Sequence, residues 1–107
     1  MKSKERNGDQ LLAALAALSN PHRLRVVAAL AAGGRNYVSQ LARELNISRP
    51  LLHLHLQKLE AAGLVTSQME LSSDGKALNF FDVAPFAIDL SPATISNAVA
   101  TLTNNPE

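Results

Sequence analysis

The chain contains no cysteine and no tryptophan, and its aromatic residues amount to three Phe and one Tyr. Without cysteine there are no disulfides, no thiolate metal ligands and no thiol nucleophile. So few rings argue against a binding surface built from stacked aromatic side chains. No apolar run approaches the roughly 20 residues that a membrane span needs. The longest apolar stretch near the N-terminus, Leu11 to Leu18, follows a basic segment in the manner of a secretory leader. Glu5 and Asp9 interrupt that segment, however, and Ser-Asn-Pro-His-Arg follows the apolar run. A soluble cytoplasmic protein without a membrane partner is the expectation.

What is present fits one folded domain. Among 107 residues, 47% are hydrophobic and 18% charged, and no segment is low in complexity. A chain of this length can bury well over half of its unfolded surface. We therefore expect a single domain over residues 1–107, with flexible ends at about 1–8 and 104–107. The net charge of +1 hides an asymmetry. Residues 1–60 hold nine Lys/Arg against four acids, a balance of +5. Residues 61–107 hold Lys76 against five acids, a balance of −4. A basic half suits an anionic partner such as nucleic acid, and it equally suits an ordinary solvated surface.

Helical spacing of Leu11, Leu12, Leu15 and Leu18 predicts a first helix over about 9–19. Asn20-Pro21 is a cap followed by the residue favoured at the first helical position, so a second helix starts there. Its interior, Leu24 to Leu30, is apolar nearly all round, which predicts a central helix, and Gly33-Gly34 stops it. Arg23 and Arg25 are expected to pair with acids and hold that helix in place. A third helix is predicted over Val38–Leu45, ended by Asn46, a residue that tolerates a left-handed turn.

The stretch Leu52-His53-Leu54-His55-Leu56 alternates like a half-buried strand, yet its flanks are helical. Ser48 is an N-cap, Arg49-Pro50 fits a first turn, and Glu60-Ala61-Ala62-Gly63 supplies helix formers and a terminator. On a helix, Leu52, Leu56 and Leu59 share one face, and His53 and His55 diverge by about 200°, too far to chelate one ion together. Two strands, about 64–70 and 76–83, then flank an Asp74-Gly75 turn. Ser91-Pro92 opens a last helix to about 103, with Ile95, Ala98, Val99 and Leu102 as its apolar stripe.

Three helices, a short turn, a fourth helix and a hairpin make a mainly α architecture with a β-hairpin wing (α+β), the winged helix-turn-helix. The sequence resembles the ArsR family of repressors. The resemblance is carried by "LSNPHRLRVVAAL", by "VSQLARELNISRPLLHLHLQKLEAAGLV" and by the hairpin with its Asp-Gly tip, covering about residues 10–83. It implies a non-enzymatic, sequence-specific DNA-binding regulator, most simply a repressor, acting as a homodimer on double-stranded DNA. It also implies a dimerisation helix near 92–103. Metal-sensing members carry cysteines in the third helix, or His with Asp/Glu in the last. Those residues are absent here, so the resemblance implies DNA binding without metal sensing, and no cofactor is expected.

The expected DNA site comprises Ser39, Gln40, Ser48, Arg49, Pro50, Leu51, His53, Leu54, Gln57, Lys58 and Lys76. Arg49 and Lys58 suit phosphates, although they also read as plain surface charges. Gln57 is suited to adenine and His53 to a phosphate or base edge, unless both are simply solvated. Leu51 and Leu54 fit thymine methyls or a neighbouring protein about equally. Ser39, Gln40 and Ser48 stand at helix N-termini, where N–H groups favour phosphate, and Ser48 also serves as a cap. Lys76 is either a phosphate contact at the wing tip or a solvated turn residue. The dimer interface is expected through Leu12, Leu15, Ile95, Val99 and Leu102. The rival reading is a winged-helix module that binds protein through the outward leucines.

Overall fold

The computed structural model describes residues 6–103, which form five helices and a three-stranded antiparallel sheet in the winged helix-turn-helix arrangement. The helices are α1 (Gly8–Leu18), α2 (Pro21–Gly33), α3 (Val38–Leu45), α4 (Arg49–Ala61) and α5 (Pro92–Val99). The strands are β1 (Asn36–Tyr37), β2 (Val65–Leu71) and β3 (Ala77–Val83). The expected end segments 1–5 and 104–107 lie outside the described residues.

Helix boundaries follow the local chemistry. The Asn20 side chain accepts from the backbone N–H groups of His22 and Arg23, and Pro21 occupies the next position. Gly34 ends α2 with φ +80°. Asn46 caps α3 in the left-handed conformation, φ 56°. The Ser48 hydroxyl then accepts from the Leu51 N–H at 3.3 Å and starts α4. Only Asn46, Ile47 and Ser48 separate α3 from α4. The core runs from Ala14 and Ala17 of α1 through Val26 and Leu30 of α2 and Leu41 of α3. It continues through Leu52, Leu56 and Leu59 of α4 to Leu64, Val65 and Phe81 of the sheet.

Four expectations need correction. First, residues 6–8 are anchored: the Asn7 side chain accepts from the Gln10 N–H in a capping box, and Gly8 is buried. Second, α2 is not enclosed on all sides. Val26 and Leu30 are buried, yet Leu24, Ala28, Ala31 and Ala32 are exposed, because the alanines give little area to bury and the sheet covers one side only. Third, Arg23 meets no acid among the described residues; its Nε donates to the Ala17 carbonyl at 2.5 Å and its Nη1 faces His55. Arg35 instead forms an ion pair with Glu70. Fourth, α5 stops at Val99, and Leu102 lies beyond it, just past a turn at residues 100–101. The Thr101 hydroxyl donates back to the Ala98 carbonyl and accepts the Gly8 N–H at 2.7 Å, so the chain bends onto α1.

The hairpin β2–β3 is joined by residues 72–76, with Gly75 at φ +85°. The Gly75 N–H reaches the Ser72 carbonyl at 2.9 Å, and the Ser72 N–H the Lys76 carbonyl at 2.7 Å. That is a three-residue turn with glycine in the left-handed position. The short β1, which no sequence pattern announced, pairs Asn36 with Phe81 and Tyr37 with Phe80. Its neighbour Arg35 makes a two-pronged bond to Glu70 at 2.6 and 2.9 Å and lies 4.3 Å over the Phe80 ring. Tyr37 meets the same ring edge-on at 5.7 Å. The wing is thereby tied, in its middle and near its tip, to the segment that leads into α3.

Candidate nucleic-acid interface

The helix α4 divides sharply by exposure. Leu52, Leu56 and Leu59 are fully buried, and Arg49, Pro50, Leu51, His53, Leu54, Gln57 and Lys58 are all exposed. The buried row locks the helix against the core, so the outward row is held rigidly. This is the period-3.6 pattern that the alternating Leu-His-Leu-His-Leu run conceals. Lys58 lies in the last turn, near the negative end of the helix, and Arg49 in the first.

His55 is the exception among the polar residues of α4, since it is buried. Its Nδ1 stands 3.2 Å from Arg23 Nη1, and its ring stacks on His22 with centroids 5.4 Å apart. A guanidinium can only donate, so Nδ1 accepts and the ring proton sits on Nε2. That Nε2 is buried and has no hydrogen-bond partner among the described residues. Burial first, then the charges of Arg23, His22 and Lys58, hold the imidazole below its ordinary pKa. His55 is therefore neutral and belongs to the packing of α4 on α2, whereas His53 faces solvent. Among the described residues no three His, Asp or Glu side chains converge on a point that would hold a metal ion.

Between α3 and α4 lies an open groove lined by Ser39, Ala42, Arg43, Asn46, Ile47, Ser48 and Arg49. It brings Ser39, Ser48 and Arg49 together and adds Arg43, which the sequence reading left out. The available signal was the four-residue spacing from Ser39 to Arg43, which puts both on one helical face. Gln40 is engaged elsewhere: its amide donates to Glu44 at 3.2 Å. Lys76 lies at the wing tip, remote in sequence from α4, with its backbone N–H donating to Ser72 Oγ at 3.1 Å. Asp74 sits in the same turn. The Ser72 hydroxyl, aided by the Lys76 backbone N–H, keeps the Asp74 carboxyl below its ordinary range. The tip is thus electrically balanced rather than basic.

The residues expected at the dimer interface form a second surface. Helices α1 and α5 pack on each other within the chain: the Thr103 N–H donates to Asp9 Oδ1 at 2.9 Å, and Gly8 lies against the end of α5. Leu12, Ile95 and Val99 remain 46–57% exposed on this pair, with Leu15 and Leu102 half-buried.

Rigid recognition helix, tight turn, bracing helix and anchored wing define a winged helix-turn-helix protein. Residues 18–68 match the family model of a helix-turn-helix domain. An uncharacterized HTH-type transcriptional regulator of Methanocaldococcus jannaschii is 46% identical over 55 residues, or 51% of this chain. The matched stretch spans 57% of that relative's length. The fold is also similar to the homodimeric winged helix-turn-helix DNA-binding domain of a possible ArsR-family regulator from Mycobacterium bovis. That likeness has a TM-score of 0.62 and 23% identity, covering 78% of this chain and 75% of the other. The transcriptional repressor BigR of Xylella fastidiosa is similar at a TM-score of 0.60 and 22% identity, covering 86% and 79%.

Proposed function

We propose that this chain is a sequence-specific DNA-binding transcriptional regulator, acting as a homodimer that represses by occupying double-stranded DNA. The observation that carries the reading is the exposed row of α4, with Arg49, Gln57 and Lys58 on a helix whose opposite face is fully buried. A helix so held fits the major groove, where its polar side chains reach base edges and phosphates. Arg43, Arg49, Ser39 and Ser48 would take backbone phosphates along the α3–α4 groove, and the groove lining contains no acid. His53 would reach a flanking phosphate, and Pro50 only shapes the first turn. Gln40 and Lys76 contribute less, one being held by Glu44 and the other sharing its turn with Asp74.

The homodimer rests on the α1–α5 surface. Extents of 51 × 34 × 23 Å and a radius of gyration of 15.9 Å describe an elongated chain; a compact one of this length would have about 13 Å. Leu12, Leu15, Ile95, Val99 and Leu102 offer the apolar area that a second copy would cover, and the Mycobacterium bovis domain is itself homodimeric. We read residues 1–107 as one domain, located in the cytoplasm on DNA, with no cofactor and no catalytic role. The hydroxyls of Ser67, Ser72 and Thr103 are bonded to carboxylates rather than to a histidine base.

A gel shift with mixed genomic DNA at stepped salt concentrations tests the reading. Retarded fragments whose binding weakens steeply with salt support it. Absence of retardation at low salt, together with capture of a protein partner that Leu54→Asp abolishes, would replace it with an interaction module built on Leu51 and Leu54.

A further inference from the structure

The outward row of α4 has a chemistry of its own. With about 100° per residue, Leu54 stands at its centre, Leu51 and Gln57 about 60° to either side and Lys58 about 40° away. Leu54 is 56% exposed and Leu51 39%. The Gln57 side chain is exposed and has no partner among the described residues. From Arg49 to Leu59 the helix contains no Asp or Glu, so it offers no carboxylate to accept from the cytosine amino group. Its two cations stand in the first and last turns, with Lys58 one turn along the helix from Leu54. Between those cations the row presents one amide and two branched apolar side chains.

In the major groove that combination has one counterpart. Adenine offers N7 and its 6-amino group to an amide, and its partner thymine offers a methyl group to an apolar side chain. Neither base of a G·C pair carries a methyl group. Leu54 and Gln57 are three residues apart, so their Cβ atoms stand about 5–6 Å from each other. That separation lets the two residues address one base pair or neighbouring ones.

We infer that α4 reads A·T pairs at the centre of its half-site, with Gln57 on adenine and Leu54, flanked by Leu51, on thymine methyl groups. The inference rests on the DNA-binding reading above and adds the identity of the bases. Charge selects DNA over protein as the occupant of this face. The leucines lie between Arg49 and Lys58 on a helix without a carboxylate up to Glu60, and Glu60 accepts the Ser67 hydroxyl.

Replacing thymidine by deoxyuridine, one position at a time, in a duplex selected from genomic DNA removes only the methyl group. The wild-type protein should lose about fourfold in affinity at one or two central positions of each half-site, the equivalent of one buried methyl group. Leu54→Ala should bind the thymine duplex more weakly and ignore uracil at those positions. Gln57→Ala should keep the uracil effect and lose its preference for adenine over guanine. A wild-type protein indifferent to uracil everywhere overturns the assignment and leaves DNA binding standing, as does a uracil effect that persists unchanged in Leu54→Ala. Failure to retard any genomic fragment at low salt removes the DNA-binding reading and this inference with it.

Discussion

Arg23 Nη1 donates to His55 Nδ1 across 3.2 Å, joining the second helix to the recognition helix through a buried imidazole. The bond requires the neutral ring, because a protonated Nδ1 would set two donors and two positive charges face to face. His22, stacked on the same ring, and Lys58, on the same helix, add to that pressure.

A pH dependence follows from this pair. The His55 pKa is depressed below its ordinary 6.5, first by burial and then by the charges of Arg23, His22 and Lys58. In that case the unfolded chain binds the proton more tightly than the folded one. The stability contributed by the neutral ring is then present above about pH 6.5 and is lost as pH falls below it, through the folded-state value. Urea unfolding between pH 8 and pH 5 should show stability decreasing on acidification. His55→Gln, which keeps a polar group without a titrating ring, should remove that portion of the slope. An unchanged slope in the variant would locate the dependence elsewhere.

The clasp between α1 and α5 makes Gly8 a position where a single methyl group matters. A Cβ there would overlap the Ala98 carbonyl oxygen and meet Leu102 Cα at 3.0 Å. Backbone cannot swing aside as a side chain can, so Gly8→Ala should destabilise the fold by about 1–3 kcal/mol, despite the better helix propensity of alanine. Gly33, the last residue of α2, provides the control with the opposite sign. Nothing lies within 4 Å of its Cβ position. Gly33→Ala should stabilise by about 0.4–1 kcal/mol through the unfolded chain. Denaturation midpoints of the two variants moving in the same direction would contradict the close approach at Gly8.

Much of this architecture could be read from residues whose chemistry is local. Asn20-Pro21, Asn46, Ser48 and Ser91-Pro92 announce helix ends because a cap is a contact between near neighbours in the chain. The outward row of α4 was equally legible once Leu52, Leu56 and Leu59 were placed on one face. The missing pieces depend on distant segments. Strand β1 is two residues long and exists through its pairing with Phe80 and Phe81. Gly8 is fixed by Thr101, and Arg23 answers a histidine 32 positions away rather than an acid. Arg43 enters the site only because α3 and α4 share a groove wall.

The exposed apolar surface on α1 and α5 should mediate self-association. Leu12 and Val99 are 47% and 57% exposed, so Leu12→Glu combined with Val99→Glu should leave the folded protomer intact. In a dimer the same carboxylates would be buried against apolar surface without partners, which is strongly unfavourable. Sedimentation should find a dimer for the wild type at micromolar concentration and a folded monomer for the double variant. A monomeric wild type under those conditions would remove the dimer from the proposal.

Phosphate contacts and base contacts on this surface should separate by their response to salt. If Arg43, Arg49 and Lys58 each neutralise a phosphate, each change to Ala should weaken binding to every sequence alike. The slope of log affinity against log salt should then become shallower by about 0.9 per contact. Gln57 carries no charge, so Gln57→Ala should leave that slope unchanged. It should weaken the preferred site more than a random one, by about 1–3 kcal/mol, if the amide reads a base edge. None of the four side chains belongs to the buried row of α4 or to the core, so the folded state should be indifferent to all of them. Salt titrations of the variants on selected and scrambled duplexes give both quantities in one experiment. Slopes unchanged by every cationic variant would mean that the α3–α4 groove does not carry the backbone, and α4 would then need a different partner.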